Sequence, residues 1–227
     1  MNVKHSEIFD YGTYSSAGWG VFAPVGDRLV ALALIVLAVA LLVARRQTFT
    51  TQRLTAAALL AAISFAIFQV NIPFAGGVHM NLTPLIGILA GPAIGSLVVL
   101  VVNILSAAIG HGGWGLIGAN SLVNISEVTS AYYLFYYATR RFELFTRGAV
   151  AAFGGLLVGN VLSVLIIVIS GIQGSTLSGS ALFVYILQVP LLNLIVAVGE
   201  AIVTGFVVEY LGRVRPDMLA LRKVAGD

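Results

Sequence analysis

The sequence has little charge and no cysteine. Of its 227 residues, 9% are charged and 59% are hydrophobic. Soluble globular domains carry about 25% charged residues, so a chain this apolar needs lipid as its solvent. The absence of cysteine excludes disulfides, iron–sulfur clusters and thiolate metal sites. The net charge of +3 is small and gives no indication of nucleic-acid binding.

Lysine is also scarce, which limits the chemistry of the chain. The two lysines are Lys4 and Lys223, and neither lies in a G-x-x-x-x-G-K-[ST] run. The sequence therefore has no phosphate-binding loop of this type, and ATP-driven work needs another subunit. We find no pair of nucleophile and base, so an enzyme is the least favoured class. The chain is predicted not to be an enzyme.

Six long apolar runs dominate the sequence: residues 29–44, 54–72, 93–109, 117–138, 148–169 and 183–211. A helix needs about 20 apolar residues to cross the hydrocarbon core, and these runs are near that length. A further apolar stretch, residues 82–90, is too short to cross alone. Gly91-Pro92 follows it and predicts a break in the helix.

The basic residues decide whether residues 82–90 count as a crossing. They form three clusters: Arg45, Arg46 and Arg53; Arg140, Arg141 and Arg147; and Arg213, Arg215, Arg222 and Lys223. Loops rich in Lys and Arg stay in the cytoplasm, and all three clusters lie inside only if residues 82–90 cross. We therefore predict an all-α integral membrane protein, a bundle of seven transmembrane helices with a short third helix, N-terminus outside and C-terminus inside.

This topology divides the chain into three parts. Residues 1–27 form an extracytoplasmic N-terminal segment, residues 28–212 the transmembrane helical domain, and residues 213–227 a cytoplasmic tail. The composition predicts a multi-pass protein of the plasma membrane.

The predicted topology places all three histidines, His5, His79 and His111, on the outer face. Neutral imidazole is the commonest protein ligand for ions such as nickel, cobalt, copper and zinc. The alternative is three unrelated histidines in loops at the membrane surface. For His79 we favour a ligand, because paired glycines precede it and the short helix follows it. This position predicts that His79 lies where the outer loop meets the membrane.

Polar side chains follow one face of the helix after His111. Asn120, Asn124 and Glu127 are spaced i, i+4 and i+7 and share that face. Such a stripe faces a cavity or a neighbouring helix, and for Asn124 bonding between helices is as good an interpretation as function. Glu127 and Glu200 are the carboxyl groups deepest in apolar runs. They carry protons or cations or have a structural role, and for Glu200 we favour the structural role.

These motifs resemble the CbiM/NikM family, the substrate-specific membrane subunits of energy-coupling-factor cobalt and nickel transporters. Two motifs carry most of the resemblance: Gly76-Gly77, His79 and Gly91-Pro92, and then Gly110-His111-Gly112-Gly113 with Gly118-Ala119-Asn120. Gln188-Val189-Pro190 and Glu200 resemble the last helix of the family more weakly. The resemblance is strong over residues 76–124.

The resemblance implies seven helices, an outward N-terminus and His79 as a metal ligand. In the family, a Met-His start supplies the terminal amine, a backbone nitrogen and an imidazole, and four nitrogens in a plane suit Ni²⁺ and also Co²⁺. This sequence has Asn2 at the second position, and His5 is the nearby histidine. Either the chain is trimmed or started differently, or His5 binds from inside the chain, or the ligand differs. The predicted metal ligands are His79, His5 and His111.

The resemblance also implies the remaining site and partners. Asn81, Asn120, Asn124 and Glu127 are predicted to lie behind the ligands or to touch the substrate. A transmembrane coupling subunit is expected to dock on small residues spaced A-x-x-x-A, here Ala57 with Ala61 and Ala58 with Ala62. The same alanines are also suited to packing within the subunit. Separate ATPase subunits complete the transporter, and a small accessory membrane subunit is a further candidate partner.

The predicted function is thus high-affinity capture of Co²⁺ or Ni²⁺ as the transported substrate for ATP-driven uptake, with no resident cofactor. One alternative is capture of a vitamin-type organic molecule through Trp19 and Trp114. Another is a gradient-driven secondary transporter that uses Glu127 or Glu200 as a proton site.

Overall fold

The computed structural model describes residues 51–69, 80–109, 116–170 and 180–219, with residues 31, 34–42 and 45 of the earlier chain. The side chains of residues 52–54, 169–170 and 180–189 are not part of this description. The three histidines, His5, His79 and His111, lie outside the described residues, as do Trp19 and Trp114.

The described residues form helices and no strands. Residues 34–42 are helical. The helices that follow are α1 (Thr51–Phe68), α2 (Thr83–Ala108), α3 (Ile117–Tyr133), α4 (Leu144–Ser170), α5 (Ser180–Val214) and α6 (Pro216–Leu219), and a π-helical turn (Leu134–Ala138) extends α3. Thr83–Ala108, Leu144–Val168 and Pro190–Val214 are long and apolar enough to cross a membrane. The prediction of an all-helical, multi-pass membrane protein is confirmed.

The break predicted at Gly91-Pro92 divides α2 into two segments. Gly91 has φ 78° and ψ 170°, far from helical values. A Cβ placed on Gly95 would lie 3.4 Å from Ile86 Cγ2, although residues nine apart in a straight helix are separated by about 13 Å. The chain therefore folds back at Gly91. We call residues 83–90 the short segment and residues 92–108 the long segment.

Both segments of α2 pack against the same point of α3. A Cβ on Gly87 of the short segment would lie 2.2 Å from the backbone oxygen of Val128, and one on Gly95 of the long segment would lie 2.7 Å from Val128 Cγ1. Val128 itself is completely buried. The missing side chains thus allow both segments to approach the α3 backbone closely.

The core of the bundle lies on both sides of the short segment. One apolar cluster joins the short segment to the π-helical turn, α4 and α5: Leu82, Leu85, Ile88, Leu89, Phe135, Ala151 and Val208. The other joins it to the long segment and α3: Ile86, Ile94, Val98, Val99, Val102, Ile125 and Val128. By contrast, Leu191, Ile195 and Phe206 on α5 are more than 60% exposed, as expected for side chains that face lipid.

Polar contacts mark the two ends of the bundle. At one end, Gln69 Nε2 donates to Ser106 Oγ at 3.4 Å, joining the end of α1 to the end of the long segment. At the other end, Tyr136 Oη donates to the carbonyl oxygen of Leu219 at 2.8 Å. Arg147 Nε also bonds the carbonyl oxygen of Phe135 there, at 2.8 Å.

Candidate functional site

The start of the short segment is held by hydrogen bonds from three other helices. Glu200 of α5 accepts two of them: Oε1 takes the amide of Asn81 at 2.9 Å and Oε2 takes the amide of Leu82 at 3.1 Å. Glu200 is 1% exposed. The first amides of a helix have no partner within the helix, so the carboxyl group satisfies donors that would otherwise be buried without an acceptor. This contact supports the structural interpretation of Glu200.

Glu127 of α3 contacts the next residue of the same junction. Thr83 Oγ1 donates to Glu127 Oε2 at 2.5 Å, and Asn81 Oδ1 lies 3.4 Å from the same hydroxyl. Both Glu127 and Thr83 are buried. The two deepest carboxyl groups in the described residues therefore bind neighbouring positions of one short stretch, residues 81–83.

Ser64 of α1 completes the junction. Its Oγ donates to the carbonyl oxygen of Asn81 at 2.7 Å. Leu82 between these contacts has φ 54° and ψ 24°, a left-handed conformation that is uncommon outside glycine. We call Ser64, Asn81, Leu82, Thr83, Glu127 and Glu200 the helix-start junction.

The helix-start junction lies inside the bundle, away from the start of α3. The expectation that His79 lies where the outer loop meets the membrane falls on a residue outside the described part of the chain. Glu127, which contacts Thr83, is ten residues after Ile117, or about 15 Å along the axis of α3. The short segment begins at this depth because the two carboxyl groups that accept from Asn81, Leu82 and Thr83 are there.

Asn124 bonds between helices, as one of its two interpretations predicted. Its Nδ2 donates to Asn103 Oδ1 at 3.1 Å, and Asn103 Nδ2 donates to Ser121 Oγ at 3.2 Å. These contacts join α3 to the long segment. Asn120 is half-buried and lines a small cavity between α3 and α4 with Val123 and Ser163. The polar face predicted on α3 therefore has two neighbours: Asn124 contacts the long segment of α2, and Asn120 lies toward α4.

The described residues bring together part of the predicted site. Asn81 and Glu127 share the helix-start junction through Thr83. Among the described residues, no group of three His, Asp, Glu or Cys side chains is placed to hold a metal ion. The predicted ligands His5, His79 and His111 fall outside this part of the chain.

Comparison with protein families now decides the class of this protein. Residues 23–218 match the family described as CbiM, cobalt uptake substrate-specific transmembrane region. The chain belongs to the CbiM family. The resemblance carried by the histidine and glycine motifs is thereby confirmed. As a CbiM family member the chain is a membrane component of a transport system, which agrees with the prediction that it is not an enzyme.

A curated relative supports the same family assignment. A curated relative from Archaeoglobus fulgidus, named as a fused nickel transport protein NikMN, is 29% identical over 175 residues. The match covers 74% of this chain and 56% of that protein, so the chain spans about half the length of this relative.

Two solved structures have the same fold as this CbiM family chain. A crystal structure of a transition metal transporter superposes with a TM-score of 0.74 and 21% identity, covering 89% of this chain and 96% of the other. A truncated transition metal transporter gives a TM-score of 0.69 and 23% identity, covering 83% and 93%. At 21% and 23% identity, this structural similarity establishes the fold alone.

The alanine pairs of this CbiM family chain face different ways. Ala57 and Ala61 pack against the apolar cluster around Val128. Ala58 and Ala62 are exposed on the other side of α1. The A-x-x-x-A spacing thus serves packing within the subunit for one pair, and leaves the other pair on the surface.

Sequence reasoning missed three residues around the carboxyl groups: Ser64, Thr83 and Gly159. Thr83 lies directly after the histidine motif, and a search for hydroxyl donors near Glu127 would have included it. Gly159 accommodates the side chain of Glu127, since a Cβ there would lie 2.3 Å from Glu127 Cγ. Ser64 lies in an apolar run, and no local pattern distinguishes it from other small residues.

Proposed function

We propose that this chain captures a divalent transition-metal ion, Co²⁺ or Ni²⁺, with high affinity as the substrate-specific subunit of an energy-coupling-factor transporter. The observation that carries the proposal is the buried helix-start junction in a chain of the CbiM family. Asn81, two residues after His79, has its amide and carbonyl groups fixed by Glu200 and Ser64. Two residues of chain span about 7 Å at most, so the Cα atom of His79 lies within that distance of the Cα atom of Asn81.

The proposed ligands are nitrogen atoms. His79 binds the ion, and His5 and His111 are the other proposed ligands, since imidazole suits both cobalt and nickel. Asn81 is two residues from His79 and bonds other groups with both its backbone atoms, so it orients the ligand segment. Glu127 supports Thr83 in the same stretch.

Asn120 and Asn124 remain proposed outer members of the site. Asn124 acts by holding the long segment against α3 through Asn103. Asn120 lines the cavity between α3 and α4. Their spacing on α3 places both on the side of Glu127 that leads toward Ile117, the start of this helix.

We further propose the orientation inferred from charge. Arg53 lies in the first turn of α1, at the end away from Gln69. Arg147 and the C-terminal α6 meet at Phe135 and Tyr136, at the end away from Ser106. The described positions Arg53 and Arg147 and helix α6 thus lie toward one end, which supports the proposal that this end faces the cytoplasm.

The proposed topology keeps the three parts predicted from the sequence. It has seven crossings, an external segment 1–27, the membrane domain 28–212 and a cytoplasmic tail 213–227. A cysteine introduced at position 2 of the chain and labelled from outside the cell tests this orientation. Labelling only after the membrane is made permeable contradicts it.

The proposed partners are a transmembrane coupling subunit and ATPase subunits, with a small accessory membrane subunit as a further candidate. Ala58 and Ala62 are the proposed docking residues because they are small and exposed on α1, which allows a partner helix to approach closely. ATP hydrolysis in the partners supplies the energy for release of the ion into the cell.

Removal of His79 tests the proposed capture function. Purified wild-type chain and His79→Ala are loaded with nickel chloride or cobalt chloride, and bound metal is measured by elemental analysis. We expect the variant to lose the bound ion, because the other ligands alone hold it weakly. Asn193→Ala, which removes an amide bonded to Asn160 in another part of the bundle, is the control and should keep the metal.

Two outcomes of this experiment contradict the proposal. One is metal bound by His79→Ala at the wild-type stoichiometry. The other is wild-type protein that binds neither ion and carries an organic molecule, which favours the vitamin-type alternative. Intact-mass analysis of the same native sample defines the first residue of the chain and so the ligands available near His5.

A further inference from the structure

We propose that Glu200 is a positioning residue for metal capture, assisted by Ser64. It holds residues 81–83 in one conformation and so fixes the position from which His79 reaches the ion. The inference rests on the proposed function, because it assigns a role at the same site. It concerns the affinity for metal and gives Glu200 no contact with the ion.

The first argument is the geometry of the two carboxyl oxygens. Each accepts one of two consecutive backbone amides, those of Asn81 and Leu82, at 2.9 and 3.1 Å. A single contact allows the chain to pivot about one bond, whereas two contacts on neighbouring peptide groups fix the direction of the chain. Glu200 therefore determines how the chain arrives at the short segment.

The second argument is that α1 holds the same residue from another side. Ser64 Oγ donates to the carbonyl oxygen of Asn81 at 2.7 Å, while Glu200 on α5 binds its amide. The backbone amide and the carbonyl group of Asn81 are thus bound by side chains of two different helices. A shift of Asn81 along the bundle breaks at least one of these bonds.

The third argument is the backbone of Leu82. Its φ of 54° makes it the one non-glycine residue with positive φ among the residues that the structure describes. Such conformations cost energy and persist where the surrounding contacts fix them, often at ligand sites. The side chain of Leu82 is 5% exposed and packs in the apolar core. Its amide is bound by Glu200, so the strained residue is held at both its backbone and its side chain.

The fourth argument concerns the choice of residue. Carboxyl groups inside a membrane protein are costly, and elsewhere in this bundle helices are joined by neutral amides, as in Asn160 with Asn193. Glutamine has one acceptor oxygen and an NH₂ group that does not accept, so in this geometry, with one amide at each oxygen, it would present a donor to one of the two amides. A side chain with two acceptor oxygens suits this pair of amides, which Glu200 binds at separate oxygens.

Glu200→Gln in the full-length chain tests the proposal, with nickel chloride as the probe. Isothermal titration measures the affinity, and hydrogen–deuterium exchange measures protection of peptides that cover residues 80–86. We expect affinity at least ten-fold weaker and faster exchange at Asn81 and Leu82 in the absence of metal. Ser64→Ala should change both quantities in the same direction by a smaller factor.

Asn160→Ala is the matched control for a general loss of packing. It removes a half-buried amide that donates to the carbonyl oxygen of Pro190 at 3.0 Å, so its contact is with α5 and not with residues 81–83. We expect it to lower the melting temperature without changing exchange at residues 80–86 or nickel affinity. If it weakens nickel binding as much as Glu200→Gln does, the role of Glu200 is general packing and the proposal is overturned.

The remaining outcomes separate this proposal from the proposed function. Unchanged nickel affinity in Glu200→Gln, with metal lost in His79→Ala, overturns the positioning role and leaves metal capture standing. Metal retained in His79→Ala overturns metal capture. Exchange at Asn81 and Leu82 then still measures whether Glu200 holds this stretch of backbone. If Glu200→Gln does not fold, Ser64→Ala decides by the same two measurements, and wild-type values for both overturn the proposal.

Discussion

Gly159 of α4 lies directly against the carboxyl group of Glu127 on α3. A Cβ placed on Gly159 would stand 2.3 Å from both Cγ and Oε1 of Glu127. The space that a side chain would occupy on α4 is therefore filled by the glutamate. The other oxygen of Glu127 accepts the hydroxyl of Thr83, so the glycine allows Glu127 to reach the helix-start junction.

Gly159→Ala should destabilise the protein for this reason. Added volume in a packed core typically costs about 1–3 kcal/mol, and here the added methyl group displaces a buried carboxyl group. We expect a lower melting temperature in detergent and weaker nickel binding, since Thr83 loses its acceptor. The control is Gly199→Ala on α5, where a Cβ would meet no atom within 4 Å. Equal melting temperatures for the two variants would contradict this account of Gly159.

Gly91→Ala should destabilise the fold-back of α2. Gly91 combines φ 78° with ψ 170°, a region that is nearly exclusive to glycine, and a residue with Cβ there costs about 1–3 kcal/mol. The neighbouring variant Pro92→Ala is the control, because it keeps the carbonyl oxygen to which Ser96 Oγ donates at 2.6 Å. Thermal unfolding of the two variants in parallel checks the expectation. A greater loss of stability in Pro92→Ala would place the constraint on the proline instead.

Local sequence patterns predicted the helices and the break in α2 well. Apolar runs define the helices, and Gly91-Pro92 changes the backbone within two residues, so both signals are short in range. The helix-start junction is different, because Glu200 meets Asn81 across 119 positions of the chain. No local pattern indicates which buried carboxyl group meets which amide. The position at which the short segment begins depends on that pairing, so the sequence alone did not predict it.

The alanine pairs show a related limit. Ala57 with Ala61 and Ala58 with Ala62 have the same spacing and similar neighbours in the sequence. Only the position of α1 against Val128 distinguishes the pair that packs inward from the pair on the surface. A spacing rule identifies helices that can approach closely, and the direction of approach depends on the rest of the bundle.

This difference gives a prediction for assembly. The double variant Ala58→Leu with Ala62→Leu should keep the melting temperature of the wild type, because both residues are exposed. It should co-purify less coupling subunit when the two are expressed together, because leucine keeps a partner helix at a distance.

The inward pair provides the control. Ala57→Leu with Ala61→Leu adds volume to the apolar cluster and should lower the melting temperature of the isolated chain. If the outward variant assembles as well as the wild type, Ala58 and Ala62 do not form the docking surface.

Tyr136 connects the far end of the short segment to the C-terminal helix. Its Oη lies 3.2 Å from the carbonyl oxygen of Ile88 and 2.8 Å from that of Leu219. A hydroxyl group has one hydrogen to donate, so removing it deprives two carbonyl groups of a shared donor. Because a buried group left without its partner costs about 1–3 kcal/mol, Tyr136→Phe should lower stability by about this amount.

The same variant should loosen α6 before the rest of the bundle unfolds. Leu219 ends α6, and the exposed Arg213 lies in the last turn of α5, just before that helix. We therefore expect faster trypsin cleavage after Arg213 in Tyr136→Phe, measured by mass spectrometry over time. Tyr133→Phe, with a ring that is 51% exposed on the same helix, is the control. Cleavage at the wild-type rate in Tyr136→Phe would mean that the hydroxyl bond to Leu219 does not hold α6 in place, and that apolar contacts of Leu219 with the core are sufficient.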